Sequence, residues 1–437
     1  MGRITADHSR IRQLAEQAGE PVTDLILKAL KKGVTERDEM PVTLFAACPN
    51  SEAVTRASIR AAKKHNAPIK YAATLNQVDN DGGYTGWTQQ RFLDLVKEEV
   101  DSSGFEGPVI VALDHGGPWL KDKQTIEKWP LDKAMQGVKD SLVACIDAGY
   151  DLLHIDPTVD RSLEKGQTIS IDTVAERTVD MIDHAERHRR SKNLPRISYE
   201  VGTEEVHGGL ADMGTFRRFL NGLRDGLDKC GLQDVWPCFI VGKVGTDLHT
   251  TLFDPVVAVE LVETAAEHDS YIKGHYSDGV ENPEAYPESG MGGANVGPEF
   301  TEAEYFSLKK LTMSECEFVR QGKLESESGL TQALEDAVVA SGRWEKWRQA
   351  DEQGKQFTEL AAERREWLVR TGCRYIWTAE GVLAARKQLY DNMSRMGIDG
   401  ESQVIDDIAR SMDKYFEKFN LIGTIPRIEK ELEEGLE

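Results

Sequence analysis

The sequence has little of what small secreted folds depend on. Six cysteines are scattered at 48, 145, 230, 238, 316 and 373, and none forms a C-x-x-C pair. A zinc ribbon and a disulfide framework are therefore excluded, and reduced thiols are expected. No stretch approaches the roughly 18 consecutive apolar residues of a membrane span, and the opening MGRITADHSR lacks the apolar centre of a signal peptide. A cytoplasmic protein is the expectation. Positive charge is scarce: 53 Lys and Arg stand against 75 Asp and Glu, a net charge of −22. Such a surface repels polyanions, which excludes nucleic acid and anionic membranes as main partners. Nucleotide signatures are missing as well. No G-x-G-x-x-G follows the first strand and no G-x-x-x-x-G-K-[ST] loop occurs, while a G-x-S-x-G nucleophile elbow is also absent.

What is present is a repeated unit of apolar strand, polar end and amphipathic helix. Strands are expected over 41–48, 69–75, 108–116, 152–158, 196–202, 236–245, 270–276 and, more weakly, 292–300. Helices are expected between them, the first starting after the Pro49-Asn50-Ser51 break and the last covering 301–321. Eight such units predict a parallel sheet closed into an α/β TIM (β/α)8 barrel, with an open doubly wound sheet as the alternative. A helical segment over 1–40 is expected to cap the bottom of the barrel, which occupies 41–321, or to pack beside it. From 322 to 437 the alternation stops. That region reads as a C-terminal helical extension that covers the barrel or forms a homo-oligomer interface. Its Arg374-Tyr375-Ile376-Trp377 cluster suits packing better than chemistry.

The barrel strands end in ligand-type residues. The run Val109–Leu113 leads into Asp114-His115-Gly116-Gly117. Strand four brings His154 and Asp156, two apart and so on one face. Strand five brings Glu200, then Glu204 or His207; strand six brings Asp247 or His249; strand seven brings His275, then Asp278. These ends converge on one mouth. Imidazoles and carboxylates from converging strands predict a divalent metal site, zinc favoured and manganese or a similar ion next. Such an ion polarises a carbonyl. On a regular strand Asp114 and His115 point apart, but a turn starting there can bring Asp114 to a ligand as a proton-transfer group. That pairing suits retro-aldol cleavage or enolisation of a ketose. Lys243 and Lys273 lie on strands six and seven, where a Schiff base is possible and phosphate or carboxylate binding is simpler. The polar loop after strand two, 76–87, is a candidate substrate loop.

Several of these motifs carry a resemblance. Asn76-Gln77-Val78 with Gly82-Gly83-Tyr84-Thr85-Gly86 is followed by Asp114-His115 with Gly117-Pro118, then His154-Ile155-Asp156 and Gly202-Thr203-Glu204 with Gly208-Gly209. His275 with Asp278, Val296-Gly297-Pro298, and Arg374-Tyr375 with Trp377 complete the series. Together they resemble the GatZ/KbaZ family, described as the accessory subunit of class II tagatose-bisphosphate aldolase and once labelled a tagatose 6-phosphate kinase. The resemblance implies a barrel similar to the zinc-dependent class II aldolases, with His115 as a metal ligand and Asp114 as the proton-transfer residue. It also implies roles for His275 and Glu204, while His249 resembles the strand-six ligand of the catalytic aldolases. The Gly-Gly-Ser-Gly phosphate loop of those enzymes is replaced here by Gly274-His275-Tyr276-Ser277-Asp278, so no phosphate site is located. Some members resemble epimerases acting at C4 of fructose or tagatose, free or phosphorylated.

The site expected from residues and resemblance together has Asp114 and Glu204 in proton transfer. His115, His275, Glu200 and His249 are its metal ligands. Asn76, Gln77, His154, Asp156, His207, Lys243, Asp278, Arg374 and Tyr375 are its substrate contacts. The function expected is metal-dependent retro-aldol chemistry on a ketose or ketose phosphate, as aldolase or 4-epimerase. The alternative is a non-catalytic subunit whose partner is a separate class II aldolase catalytic subunit.

Overall fold

Polar caps set the starts of the barrel helices. The hydroxyls of Ser51, Thr88 and Ser170 accept from backbone amides three residues on, at 3.1, 3.3 and 3.1 Å. Asp254 does the same ahead of Pro255, whose fixed φ suits a first helical turn. In the computed structural model, which describes residues 5–164, 167–202, 212–246 and 251–436, these helices alternate with eight parallel strands. The strands are β1 (Leu44–Ala47), β2 (Ile69–Thr74), β3 (Val109–Gly116), β4 (Leu152–Ile155), β5 (Ser198–Gly202), β6 (Phe239–Val241), β7 (Tyr271–Gly274) and β8 (Gly293–Val296). They pair in sequence order, and β1 pairs with β8 from Leu44↔Gly293 to Ala47↔Val296, closing the barrel. The expected TIM barrel is correct. β8 stops at Val296, short of the expected 300, because Pro298 begins a long helix, Pro298–Arg320. β6 is likewise shorter than its apolar run suggested.

The N-terminal helices pack at the bottom of the barrel. Arg12, 4% exposed, bridges Asp7 and Asp151 at 2.7 Å each and donates to the Val109 carbonyl at 2.8 Å. The helix Arg10–Ala18 is thereby fastened to the starts of β3 and β4. Breaking such a buried pair costs about 3–5 kcal/mol, because a charge is left uncompensated.

The extension wraps the barrel from mouth to base. The helix Gly400–Lys418 lays Tyr415 on Phe45 of β1, with ring centroids 5.4 Å apart. The last helix, Thr424–Leu436, reaches the base, where Glu431 meets Arg37 at 2.6 Å. At the mouth, two turns of the extension, Arg343–Trp347 and Cys373–Tyr375, sit over the loops that follow β2 and β3. Arg343 and Lys346 both pair with Asp122, the Thr378 hydroxyl donates to the Tyr84 carbonyl at 3.2 Å, and Tyr375 meets Tyr84 edge to face. Among the described residues no helix is long and apolar enough to cross a membrane.

Candidate active site at the barrel mouth

The end of β3 is not a regular strand. Its register against β4 shifts between Leu113 and Gly116, and His115 has φ +50°. A bulge of this kind re-aims side chains. Both Asp114 and His115 consequently line the mouth pocket instead of facing opposite sides of the sheet. A non-glycine residue in the left-handed region costs on the order of 1–3 kcal/mol, which the surrounding contacts must offset. Gly117 makes the close crossing possible, since a Cβ there would lie 1.7 Å from the Asp156 carbonyl oxygen.

Asp114 is 3% exposed. Its Oδ1 lies 3.1 Å from His154 Nδ1, 3.3 Å from Lys273 Nζ and 3.5 Å from His275 Nε2, and its Oδ2 accepts from Asn295 at 3.1 Å. Burial pushes the carboxyl up, but the charges of Lys273, His115 and His275 outweigh it and hold Asp114 well below the usual range. His115 is steered from behind. Its Nδ1 meets Asp156 Oδ2 at 2.6 Å, which fixes the ring and leaves Nε2 for the pocket. Burial lowers the pKa of His115, while Asp114 and Asp156 raise it further than burial lowers it. The His115 and His275 rings stand 4.5 Å apart between centroids.

Beneath this pair runs a buried charge ladder. Lys70 of β2 pairs with Glu200 of β5 at 3.0 Å, and Lys273 of β7 touches both Glu200 and Asp114. Glu200, Lys70 and Lys273 are all at most 2% exposed. The interior of the barrel is therefore ionic at this level, with two ammonium groups facing two carboxylates.

Of the predicted residues, Asn76, Gln77, Asp114, His115, His275, Asp278, Arg374 and Tyr375 line one pocket of about 260 Å³. His154, Glu200 and Asp156 lie beneath it. His154 Nδ1 accepts from the His115 amide at 3.0 Å, so this ring supports the bulge from below. Glu200 is neutralised by the two lysines. Lys243, past the end of β6, is half-buried and does not line the pocket. Lys273 is held protonated, with Asp114 and Glu200 outweighing burial, so it does not offer the neutral amine a Schiff base needs. Asn76 ties loops together, donating to the Leu120 carbonyl at 2.9 Å and accepting from the Asp122 amide at 2.8 Å. Asp278 accepts from the Gly297 and Glu299 amides at 3.0 and 2.8 Å, capping the helix Pro298–Arg320; burial raises its pKa to about 6. Glu204, His207, Asp247 and His249 lie outside the described residues.

Asn295, Lys70, Tyr276 and Lys346 went unnoticed in the sequence. Lys70 is the one charge within the strand IKYAAT, and Asn295 the one polar side chain in GANV. A lone polar residue in a buried strand is the signal that finds both. Tyr276 lines the pocket with φ +54°, which no sequence pattern announces.

Two donor sets among the described residues could hold a divalent ion, Asp114, His154, Glu200 and His275 at depth and His115, His154 and Asp156 nearer the mouth. In the deeper group, Asp114, His154, Glu200 and His275 place donor atoms within 4.8 Å of one another, but Lys273 already brings its positive charge there. His115 and His275 present imidazoles at the mouth. The Asp156 carboxylate behind His115 is the arrangement that orients metal-binding histidines.

The family profile described as D-tagatose-1,6-bisphosphate aldolase subunit GatZ/KbaZ-like matches residues 30–416. The chain belongs to that family. The resemblance read from its motifs is thereby borne out. Among solved structures, a probable tagatose 6 phosphate kinase from Sinorhizobium meliloti 1021 is similar, with 20% identity and a TM-score of 0.69, over 86% of this chain and 100% of that one. The fructose-bisphosphate aldolase of Campylobacter jejuni is 12% identical with a TM-score of 0.50, over 97% of this chain and 96% of that one. At these identities the likeness is one of fold. The GatZ/KbaZ barrel described here shares that fold.

Proposed function

We propose that this GatZ/KbaZ family member is a metal-dependent enzyme of carbohydrate metabolism. Its substrate is a ketose or ketose phosphate of the fructose or tagatose type, and its chemistry is retro-aldol, as aldolase or 4-epimerase. The observation that carries the reading is the bulge at β3, which turns an ionised carboxylate and a carboxylate-steered imidazole into one pocket. His115 and His275 are the residues to hold a divalent ion, zinc before manganese, with Glu200 and His249 as further candidates; when bound, the ion would supply Lewis acidity toward the ketose carbonyl.

Asp114 takes the proton of the C4 hydroxyl as the C3–C4 bond breaks, leaving an aldehyde at C4 and the C1–C3 fragment as its C2–C3 enediolate. Asn295 and Lys273 fix its carboxylate while it does so. In a 4-epimerase the aldehyde turns over, the enediolate adds to its other face, and Asp114 returns the proton to the new alkoxide. In an aldolase the proton held by Asp114 passes, by way of water, to C3 of the enediolate, which restores the carboxylate, and the fragments leave. C4 of a 2-ketose is not α to the carbonyl, so inversion there needs this route rather than simple proton abstraction. The extension closes over the pocket through Tyr375 and Arg374, which limits water at the enediolate.

The test is Asp114→Asn, assayed on fructose 6-phosphate with products separated. Loss of turnover by about 10²–10⁴-fold with unchanged metal content supports the assignment, and full activity removes it. A second reading, an accessory subunit for a class II aldolase, is favoured by the family's description as a subunit. It is also favoured by Leu252 and Val256, which are 61% and 79% exposed beside the helix Pro255–Ala266 and at its start. Co-purification with an aldolase and no turnover alone would distinguish it.

A further inference from the structure

The wall that the extension contributes to the mouth pocket carries two cationic side chains, Arg374 and Lys346, and Arg374 feels the charge of Asp278 without an ion-pair contact to it. Arg374 is presented by the turn Cys373–Tyr375 and lines the pocket. Among the described residues it makes no ion pair, and its buried Nε has no hydrogen-bond partner. Its position is set by rings instead, with Cζ 4.8 Å from the Tyr375 centroid and 5.8 Å from that of Trp347. Beside it Lys346 and Arg343 converge on Asp122, so two cations share one carboxylate and Arg374 has none in contact. Asp278 is the acid across the pocket, and its Oδ1 is taken by the first amides of the helix Pro298–Arg320. The amino end of that helix is thereby occupied and adds no anion site of its own.

The Arg374 and Lys346 cations stand out in a chain of net charge −22. A half-buried guanidinium with an unfilled donor is stable where a ligand or water supplies the acceptors. Its planar fork matches two oxygens of a phosphate or a carboxylate.

We infer that Arg374, with Lys346 at the rim, is the receptor for an anionic group on the ketose, so that the substrate is a ketose phosphate or a ketose acid and not a free ketose. The inference rests on the ketose reading above and adds which end of the pocket recognises charge. The extension is then part of the binding site and not only a cover.

The experiment is calorimetric titration of the full-length chain with fructose, fructose 6-phosphate and fructuronate. The wild type should bind fructose 6-phosphate about 10–100-fold tighter than fructose, the value of a charge-assisted bidentate contact. Arg374→Gln should bring the two within about threefold, and Arg374→Lys should keep part of the preference. Lys346→Gln, at an exposed rim, should weaken the preference by about threefold. A preference for fructuronate over fructose 6-phosphate assigns the anion as a carboxylate and leaves the receptor standing. The inference is overturned if the wild type binds all three alike or binds none, or if folded Arg374→Gln retains the preference. Should Arg374→Gln not fold, undiminished preference in both Arg374→Lys and Lys346→Gln overturns it. Failure of the retro-aldol reading looks different: fructose 6-phosphate binds with the predicted preference and is recovered unchanged.

Discussion

Replacing Lys273 with methionine tests the buried ladder under the site. The ammonium sits between Asp114 and Glu200, and all three groups are at most 3% exposed. Methionine keeps most of the volume and removes the charge, leaving two buried carboxylates with one lysine, Lys70, which reaches Glu200 alone. Removing one partner of a buried pair costs about 3–5 kcal/mol, and the remaining Lys70 places this change near the low end, about 3 kcal/mol. The effect should depend on pH. In the wild type, Asp114 and Glu200 are held well below their usual ranges. Their contribution is complete above the unfolded values of about 4 and is lost only as pH falls through the depressed folded values, so it is flat between pH 7.5 and 5. Without Lys273, burial dominates Asp114 and lifts its folded value above the unfolded one. Such an acid loses stability as pH rises, so the variant recovers on acidification. Urea unfolding at pH 7.5 and pH 5 reads both numbers. The difference between wild type and variant should be about 3 kcal/mol at pH 7.5 and at least about 1 kcal/mol smaller at pH 5. A difference below about 1 kcal/mol at pH 7.5, or one that does not change with pH, refutes the reasoning.

Asp156→Asn should weaken metal binding about 10–100-fold, because the carboxylate that orients the His115 ring is gone; competition with a chelator measures it, and unchanged affinity would take His115 out of the metal site. Gly117→Ala should lower stability by about 1–3 kcal/mol or prevent folding, since its Cβ would meet the Asp156 carbonyl oxygen and force β3 and β4 apart; a melting temperature within a degree of wild type would mean the crossing is looser than described.

The barrel was readable because its evidence is repetitive. Each strand is a short apolar run, each helix begins at a polar cap, and eight copies leave few topologies. Asp114-His115 was readable as chemistry because an acid and an imidazole end a fully buried strand. Its geometry was readable only as a turn that could re-aim Asp114, because a bulge is one residue of irregular register and leaves no mark beyond the glycines after it. His154, Asp156 and Glu200 were rightly drawn to this end of the barrel, but a sequence does not give depth along a strand. Depth is what separates a residue lining the pocket from one supporting it. Lys70 escaped because a single lysine in a strand reads as an edge or an exception until its partner 130 positions away is known. Arg374 and Tyr375 were split from Ile376 and Trp377 by the turn that carries them. The last two are buried at 4% exposure, as packing requires, while the first two face the pocket.

The central claim is that this chain alone is a metal-dependent enzyme acting on a ketose. The most direct test is metal content by mass spectrometry on the purified chain, followed by incubation with fructose 6-phosphate alone and separation of the products. Stoichiometric zinc or manganese with a tagatose-type product or triose fragments is the predicted result. Protein that stays metal-free and inert after zinc and manganese are supplied would contradict it and leave the subunit reading in its place.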